Sequence, residues 1–354
     1  MITLDLRDAI AQAVRGLGQP ADGAARDPAL RPGPAPGTYA TSIAFGLSAL
    51  LVRTTPAQVA ATITTRLADV AWIAEAAVTG GGYVTVTVTP EALASVAARV
   101  TAAGPACVRS QVLRAVALPQ PPPAALQAGG RGGGRGQQAS RTWEEARAAL
   151  AAELTARLAE AAGATLLPAG NGPEEAGGTR LGRSRSDQGN GPVADVVAVA
   201  GADAVRFALA RVIPGKPATV DGTQAARNSL DNPAYAVRYA HARAVSGVRW
   251  AAALGAPAQG EAAVASLPAD PAERALLDAL SWLPERVAVA ARRGRPDEFA
   301  RYLEDLARAT IAAVPFVRPG DNERIALASA LARAARTGLA AGLGLLGIAA
   351  PDRL

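Results

Sequence analysis

The stretch DNPAYAVRYAHARA (231–244) gathers the side chains of this chain with the widest chemical reach: Tyr235, Tyr239, Arg238, Arg243 and the only histidine, His241. An imidazole can catalyse when a nucleophile or a cluster of metal ligands stands near it. None accompanies His241 in the sequence, which assigns it to structure. Tyrosines interleaved with arginines suit unpaired RNA, because rings stack on splayed bases while guanidinium groups meet phosphates. The same pattern also describes a half-buried helix whose tyrosine hydroxyls reach water and whose arginines are merely solvated. The residues by themselves leave the last two readings open.

Whatever the chemistry, an element must hold these side chains. Asn232 is a favourable N-cap and Pro233 a favourable first-turn residue, so the sequence predicts a helix from there to about Trp250. Projected at about 100° per residue, Val237, Ala240, Ala244, Gly247 and Val248 fall on one side. Tyr235, Arg238, Tyr239, Ala242, Ser246 and Arg249 fall on the other, with His241 at the border. The small residues Ala236, Ala240, Ala244 and Gly247 recur near helical spacing and permit close packing against a neighbouring helix. Upstream, Asp203 and Arg206 in GADAVRFAL stand three apart at the start of another helix, where an intrahelical pair or a helix-packing contact is expected.

With 354 residues, half of them apolar, the chain can fill two or three domains. Aromatics make up only 4% and alanine dominates, which favours helices packed through small side chains. The net charge of +6 comes from arginine, since Lys216 is the only lysine. That balance permits a nucleic-acid partner and is equally the mark of a GC-rich coding sequence. Cys107 is the only cysteine, which excludes an internal disulfide and a multi-cysteine zinc site and fits a reducing cytosol. No metal or cofactor is implied. The N-terminal MITLDLRDAI carries acids and no apolar core segment, and the late GLGLLGIAA run is too short to span a bilayer. A cytoplasmic protein without membrane contact is expected.

Along the chain, residues 1–16, 38–51 and 56–73 read as helices and 83–90 (YVTVTVTP) as a strand, so 1–110 is expected to form a small α+β domain. Proline and then glycine crowd 118–140, a linker whose GGRGGGRG resembles arginine–glycine RNA-binding segments and also serves as a plain tether. A helix over 142–163 opens with Thr142 and Glu145 spaced as a capping box. A polar loop follows, so 111–194 reads as a linker region holding one helix. From there helices are predicted at 194–211, 221–254, 271–293, 297–314 and 321–346, making 195–354 a helical bundle. The fold class is mainly α, with a C-terminal helical bundle and a small N-terminal α+β domain.

Taken in order, GADAVRFAL (201–209), DNPAYAVRYAHAR (231–243), YLEDLA (302–307) and GLGLLGIAAPDRL (342–354) resemble the landmarks of the DALR-type anticodon-binding domain of arginyl-tRNA synthetases. PGTYATSIAFGLSALL (36–51) and GGGYVTVTV (80–88) resemble that family's additional N-terminal domain, which meets the tRNA elbow. The resemblance implies that Tyr235, Arg238, Tyr239 and Arg249 face an anticodon loop. It further implies that Arg333, Arg336 and Arg353 contact phosphates there, and that Phe45 belongs to the elbow-binding motif. Departures bear on recognition: Thr38, Ser42 and Gly46 replace the family's Asp, Asn and Gln, while Ala236 and Arg238 replace its second Tyr and its Gln.

The family's nucleotide-binding catalytic domain would need far more chain than 118–185. Its His-x-Gly-His motif cannot exist in a chain with one histidine. Its Lys-Met-Ser-Lys-Ser loop survives only as RSRSDQGN (183–190), with the lysines gone and Arg183 and Arg185 in a polar setting. Those cations and imidazoles stabilise charge on the ATP phosphates, so their loss predicts no ligase activity. The expected function is therefore a non-catalytic tRNA-binding protein. Its partner would be tRNA, tRNA-Arg by the resemblance, together with a synthetase or another tRNA-using enzyme. The alternative is a protein-interaction module that has lost RNA affinity, favoured by the altered N-terminal motif and by Pro315 where the family continues a helix. An active arginine–tRNA ligase is what the resemblance alone would suggest.

Overall fold

A computed structural model describes residues 1–15, 17, 28–51, 54–119, 142–167, 193–256, 270–314 and 322–354. Most of 118–140, the loop holding RSRSDQGN with Arg183 and Arg185, and Pro315 lie outside the described residues. The fold is mainly helical with a few small strands, as the composition and spacing predict. Its contacts define two units: Met1–Cys107 with Arg243–Glu285 and Arg308–Gly338, and Val108–Ala242 with Arg286–Ala307 and Leu339–Leu354.

In the first unit, β1 (Leu30–Pro32), β2 (Thr38–Thr41), β3 (Ile73–Thr79) and β4 (Tyr83–Val88) form an antiparallel sheet of order β1-β2-β4-β3. The alternation in β4 works as the sequence predicts: Val84, Val86 and Val88 are buried while Tyr83 is exposed. Two neighbouring expectations fail. Residues 38–41 form a strand and not the start of a helix, because TYAT is β-branched and aromatic and is paired on both sides, by Leu30–Pro32 and by Val84–Thr87. The helix begins only at Ile43. The helix from Pro56 ends at Leu67, and Ile73–Thr79 pairs with β4 through a turn whose Gly80, Gly81 and Gly82 all have positive φ. The alanines of IAEAAVT hide that strand, since they carry little β preference of their own.

The sheet and the first helix, Ile2–Val14, are bonded to the helix Pro271–Ser281 and the turn beyond it. Tyr39 is fully buried, with its hydroxyl 2.9 Å from Ser281 Oγ and its ring 5.3 Å from that of Trp282. Thr3 donates to the Ser281 carbonyl at 2.9 Å, and Gly37 N–H donates to Asp278 Oδ1 at 2.9 Å. Arg7 meets Glu285 through two bonds of 2.6 and 2.7 Å, with the side chains 6% and 1% exposed. The helix expected over 271–293 is in fact two, Pro271–Ser281 and Leu283–Arg293. Pro284 explains the break, since it lacks the N–H that would continue the first helix and its ring crowds the carbonyl four residues back, while it is tolerated in the first turn of the second.

In the second unit, the capping box is present: Thr142 Oγ1 accepts from Glu145 N–H at 3.2 Å, and Glu145 Oε2 accepts from Thr142 N–H at 3.0 Å. The helix it opens, Trp143–Ala161, packs against Ala202–Ala210 in the same unit, which also holds Val193–Ala200. The spacing over 194–211 predicts a single helix; Gly201, at φ +84°, divides it in two. Cys107, at the end of the first unit, is buried, and burial pushes its thiol up to about 11.

Candidate nucleic-acid interface

The helix Pro233–Ala253 starts where Asn232 and Pro233 place it and not at 221, since Gly222–Ala225 is a separate short helix. Asn232 Oδ1 accepts from Ala234 N–H at 3.2 Å, and its Nδ2 donates to the carbonyls of Ala225 and Arg227 at 2.9 and 2.8 Å. One residue thus caps the helix and fixes the loop before it. Val237, Ala240 and Ala244 are fully buried, as the projection requires of the apolar side. Gly247 sits so tightly that a Cβ there would lie 3.1 Å from Val314 and 3.2 Å from Ala332, so the small residues do permit close packing. On the other side the agreement is partial: Tyr235, Arg238 and Tyr239 are half-buried, but Ala242 is buried.

Tyr235 and Tyr239 stack on each other one turn apart, with ring centroids 5.9 Å apart and planes 20° from parallel. Each ring therefore has one face occupied by the other. Arg238 lies beside them with Nε buried and without a hydrogen-bond acceptor, and no described residue forms an ion pair with it. A guanidinium partly withdrawn from water without a counter-charge is costly. An anion reaching its remaining N–H groups would relieve that cost.

His241 is 3% exposed, and its Nδ1 lies 2.9 Å from the Pro351 carbonyl oxygen. Its structural assignment agrees with this geometry. The same tail is gripped from a second helix, where Arg206 Nε donates to the Leu346 carbonyl and Asp203 Oδ2 accepts from Ala349 N–H at 3.2 Å. Arg206 also pairs with Glu153. Asp203 and Arg206 thus make packing contacts and not an intrahelical pair. The remaining landmark joins them: Arg211 is bonded to Glu304, and Leu303 fills the space over Gly342. Four separated stretches of sequence are one contact cluster that holds the end of the chain against the tyrosine helix.

Gly342 supplies a test of this cluster. A Cβ there would lie 2.5 Å from Leu303 Cδ2, and Leu303 is itself fully buried. Helix propensity alone makes Gly→Ala stabilising by about 1 kcal/mol, whereas overpacking costs about 1–3 kcal/mol. Gly342→Ala is expected to lower the midpoint of thermal unfolding; a raised midpoint would show that the contact is loose.

The remaining sequence candidates divide between the units. Arg353 is exposed two residues beyond the carbonyl held by His241, in the unit of the tyrosine pair. Arg249, Arg333, Arg336 and Phe45 belong to the other unit. There Arg249 is exposed and donates to Ser246 at 2.9 Å, Arg336 is exposed and Arg333 is half-buried. Phe45 is 39% exposed and meets Tyr83 edge-on at 5.0 Å.

Residues 237–354 match the DALR anticodon binding domain, and residues 4–88 match the arginyl tRNA synthetase N terminal domain. The chain is related to the arginyl-tRNA synthetases. An arginine–tRNA ligase of Frankia alni is 39% identical over 166 residues, which are 45% of this chain and 30% of that protein. One from Nitratidesulfovibrio vulgaris is 34% identical over 189 residues, covering 52% of this chain and 33% of that protein. The chain thus spans about a third of the length of these synthetases. Among solved structures, the arginyl-tRNA synthetase of Thermus thermophilus superposes with a TM-score of 0.59 at 17% identity, covering 100% of both chains, a likeness of fold.

The two N-terminal landmarks fall inside the N-terminal match, and YLEDLA, GLGLLGIAAPDRL and the second half of DNPAYAVRYAHAR fall inside the anticodon-binding match, whereas GADAVRFAL (201–209) lies in the stretch 89–236 that neither covers. Arg238, Tyr239 and Arg353 lie inside the anticodon-binding match, while Tyr235 lies two residues before it. Phe45 lies inside the N-terminal match. No described helix is long and apolar enough to cross a membrane.

Proposed function

We infer that this chain is a non-catalytic, cytoplasmic tRNA-binding protein, with tRNA-Arg as the expected partner. Residues 1–110 would serve as an elbow-binding domain, 111–194 as the connection and 195–354 as the anticodon-binding domain. Arg238 carries the reading: a half-buried guanidinium with no counter-charge among the described residues, beside a stacked tyrosine pair, at the start of a segment matching an anticodon binding domain. An RNA loop supplies both missing partners, a phosphate for the arginine and bases for the outer ring faces. Arg353 and Arg249 would add phosphate contacts, with Arg333 and Arg336 on the last long helix and Phe45 toward the elbow.

Sequencing the RNA that copurifies with the tagged chain tests the partner. One tRNA family is expected to be enriched; RNA at background composition would move the reading to a protein-interaction module. Catalysis is tested separately. Homogeneous protein is expected to show no arginine-dependent exchange of pyrophosphate into ATP, because a chain with one histidine lacks the groups that stabilise the activated phosphate. Robust exchange would overturn the non-catalytic assignment.

A further inference from the structure

A cavity of about 240 Å³ opens at the N-terminal end of the tyrosine helix, lined by Phe207, Val212, Val220, Asp221, Gln224 and Asp231 together with Asn232 and Ala234. Its floor is apolar, since Phe207, Val220 and Ala234 are buried. Its rim is polar and has unused capacity. Asp221 Oδ1 accepts from the N–H groups of Thr223 and Gln224 at 2.9 and 3.3 Å, which leaves Oδ2 open. Asp231 Oδ2 meets the Ser229 hydroxyl at 3.4 Å, which leaves Oδ1 open. The Gln224 carboxamide is engaged by no described residue. Arg211 also lines the cavity, but Glu304 holds it through bonds of 2.8 and 3.3 Å and matches its charge.

Two carboxylates without a matching cation reject phosphate and accept hydrogen-bond donors. The volume lies below the ~300–1,000 Å³ of pockets for drug-sized ligands, so it suits one planar base and not a whole nucleotide. Among the bases, guanine presents two adjacent donors, N1–H and N2–H, beside the acceptor O6. A carboxylate takes the two donors and a carboxamide N–H meets O6. Asp221 or Asp231 together with Gln224 offers that combination over an apolar floor. Tyr235 follows directly on the residues of the rim, so a strand lying on the tyrosine pair would pass the mouth of the cavity.

We propose that this cavity receives one splayed-out guanine of the bound RNA loop, read on its Watson–Crick edge by Gln224 and a carboxylate of Asp221 or Asp231. The proposal rests on the tRNA-binding reading and is tested separately from it. RNA hairpins with an anticodon-type loop, each loop position varied through all four bases, are titrated against the full chain. At one position guanine is expected to bind at least about tenfold tighter than adenine, which equals about 1.4 kcal/mol. That preference is expected to vanish in D221N or D231N and to weaken in Q224L, with the affinity of hairpins lacking guanine unchanged. Asparagine keeps the capping oxygen of Asp221, and thermal melts of each variant confirm folding. Binding without a guanine preference, or a preference intact in all three variants, overturns the proposal and leaves the tRNA reading standing. Failure of every hairpin to bind overturns both.

Discussion

Replacing Arg7 by methionine is expected to lower the stability of the folded chain by about 3–5 kcal/mol. Glu285 is 1% exposed and receives two bonds from the Arg7 guanidinium, so the substitution strands a carboxylate inside the first unit. Buried pairs are expensive to assemble, but removing one partner costs more than removing both, because the charge left behind has lost its water and gained nothing. The double variant Arg7→Met/Glu285→Leu should therefore recover most of the loss. Urea unfolding of the three proteins checks this; a single-variant loss below about 1 kcal/mol would place the pair in water-like surroundings. The consequence reaches domain organisation. Thr3, Gly37 and Tyr39 also bond to residues 278–281, so the N-terminal segment and that helix are one stability unit. A fragment beginning near 195 would expose Ser281, Trp282 and Glu285.

Local chemistry was legible in the sequence where a residue acts on its own neighbourhood. Asn232 and Pro233 announce a helix start, Thr142 with Glu145 a capping box, and Val84, Val86 and Val88 the inner face of a strand. Each of these signals operates over a few residues, and the structure contains all three. Partners across the chain left no such trace. His241 was readable as structural, yet its acceptor, the Pro351 carbonyl, lies 110 residues away. Asp203 and Arg206 have the spacing of an intrahelical pair, and only the approach of residues 346–349 diverts them. Trp282 sits in an unbroken apolar pattern, so the break there follows from Pro284 two residues on and not from periodicity. The rim of the cavity was invisible for a further reason. The spacing predicts one helix over 221–254, which makes Asp221, Gln224 and Asp231 ordinary surface positions of a helix, whereas the structure has a short helix Gly222–Ala225 and a separate one from Pro233.

The tyrosine helix separates an RNA surface from an ordinary packed helix by three substitutions. Tyr239→Ala is expected to weaken tRNA binding by roughly 1–3 kcal/mol through lost base stacking. Because Tyr239 stacks on Tyr235 at 5.9 Å, it also removes the support of the second ring, so the pair should show coupling in a double-mutant cycle. Arg238→Ala is expected to weaken binding and to reduce its salt dependence by about one phosphate's worth. It should leave the free protein no less stable than its lost packing requires, since no described residue pairs with that guanidinium. Val237 is fully buried on the opposite side. Val237→Thr should therefore act on unfolding, at about 1–3 kcal/mol for a hydroxyl buried without a partner, and leave the affinity of the folded fraction unchanged. Titrations at two salt concentrations, paired with thermal melts, resolve these outcomes. Tyrosines that serve only packing would change the melts and not the binding. Unchanged affinity in both the Tyr239 and the Arg238 variants, each still folded, would transfer the function of this helix from RNA to a protein partner.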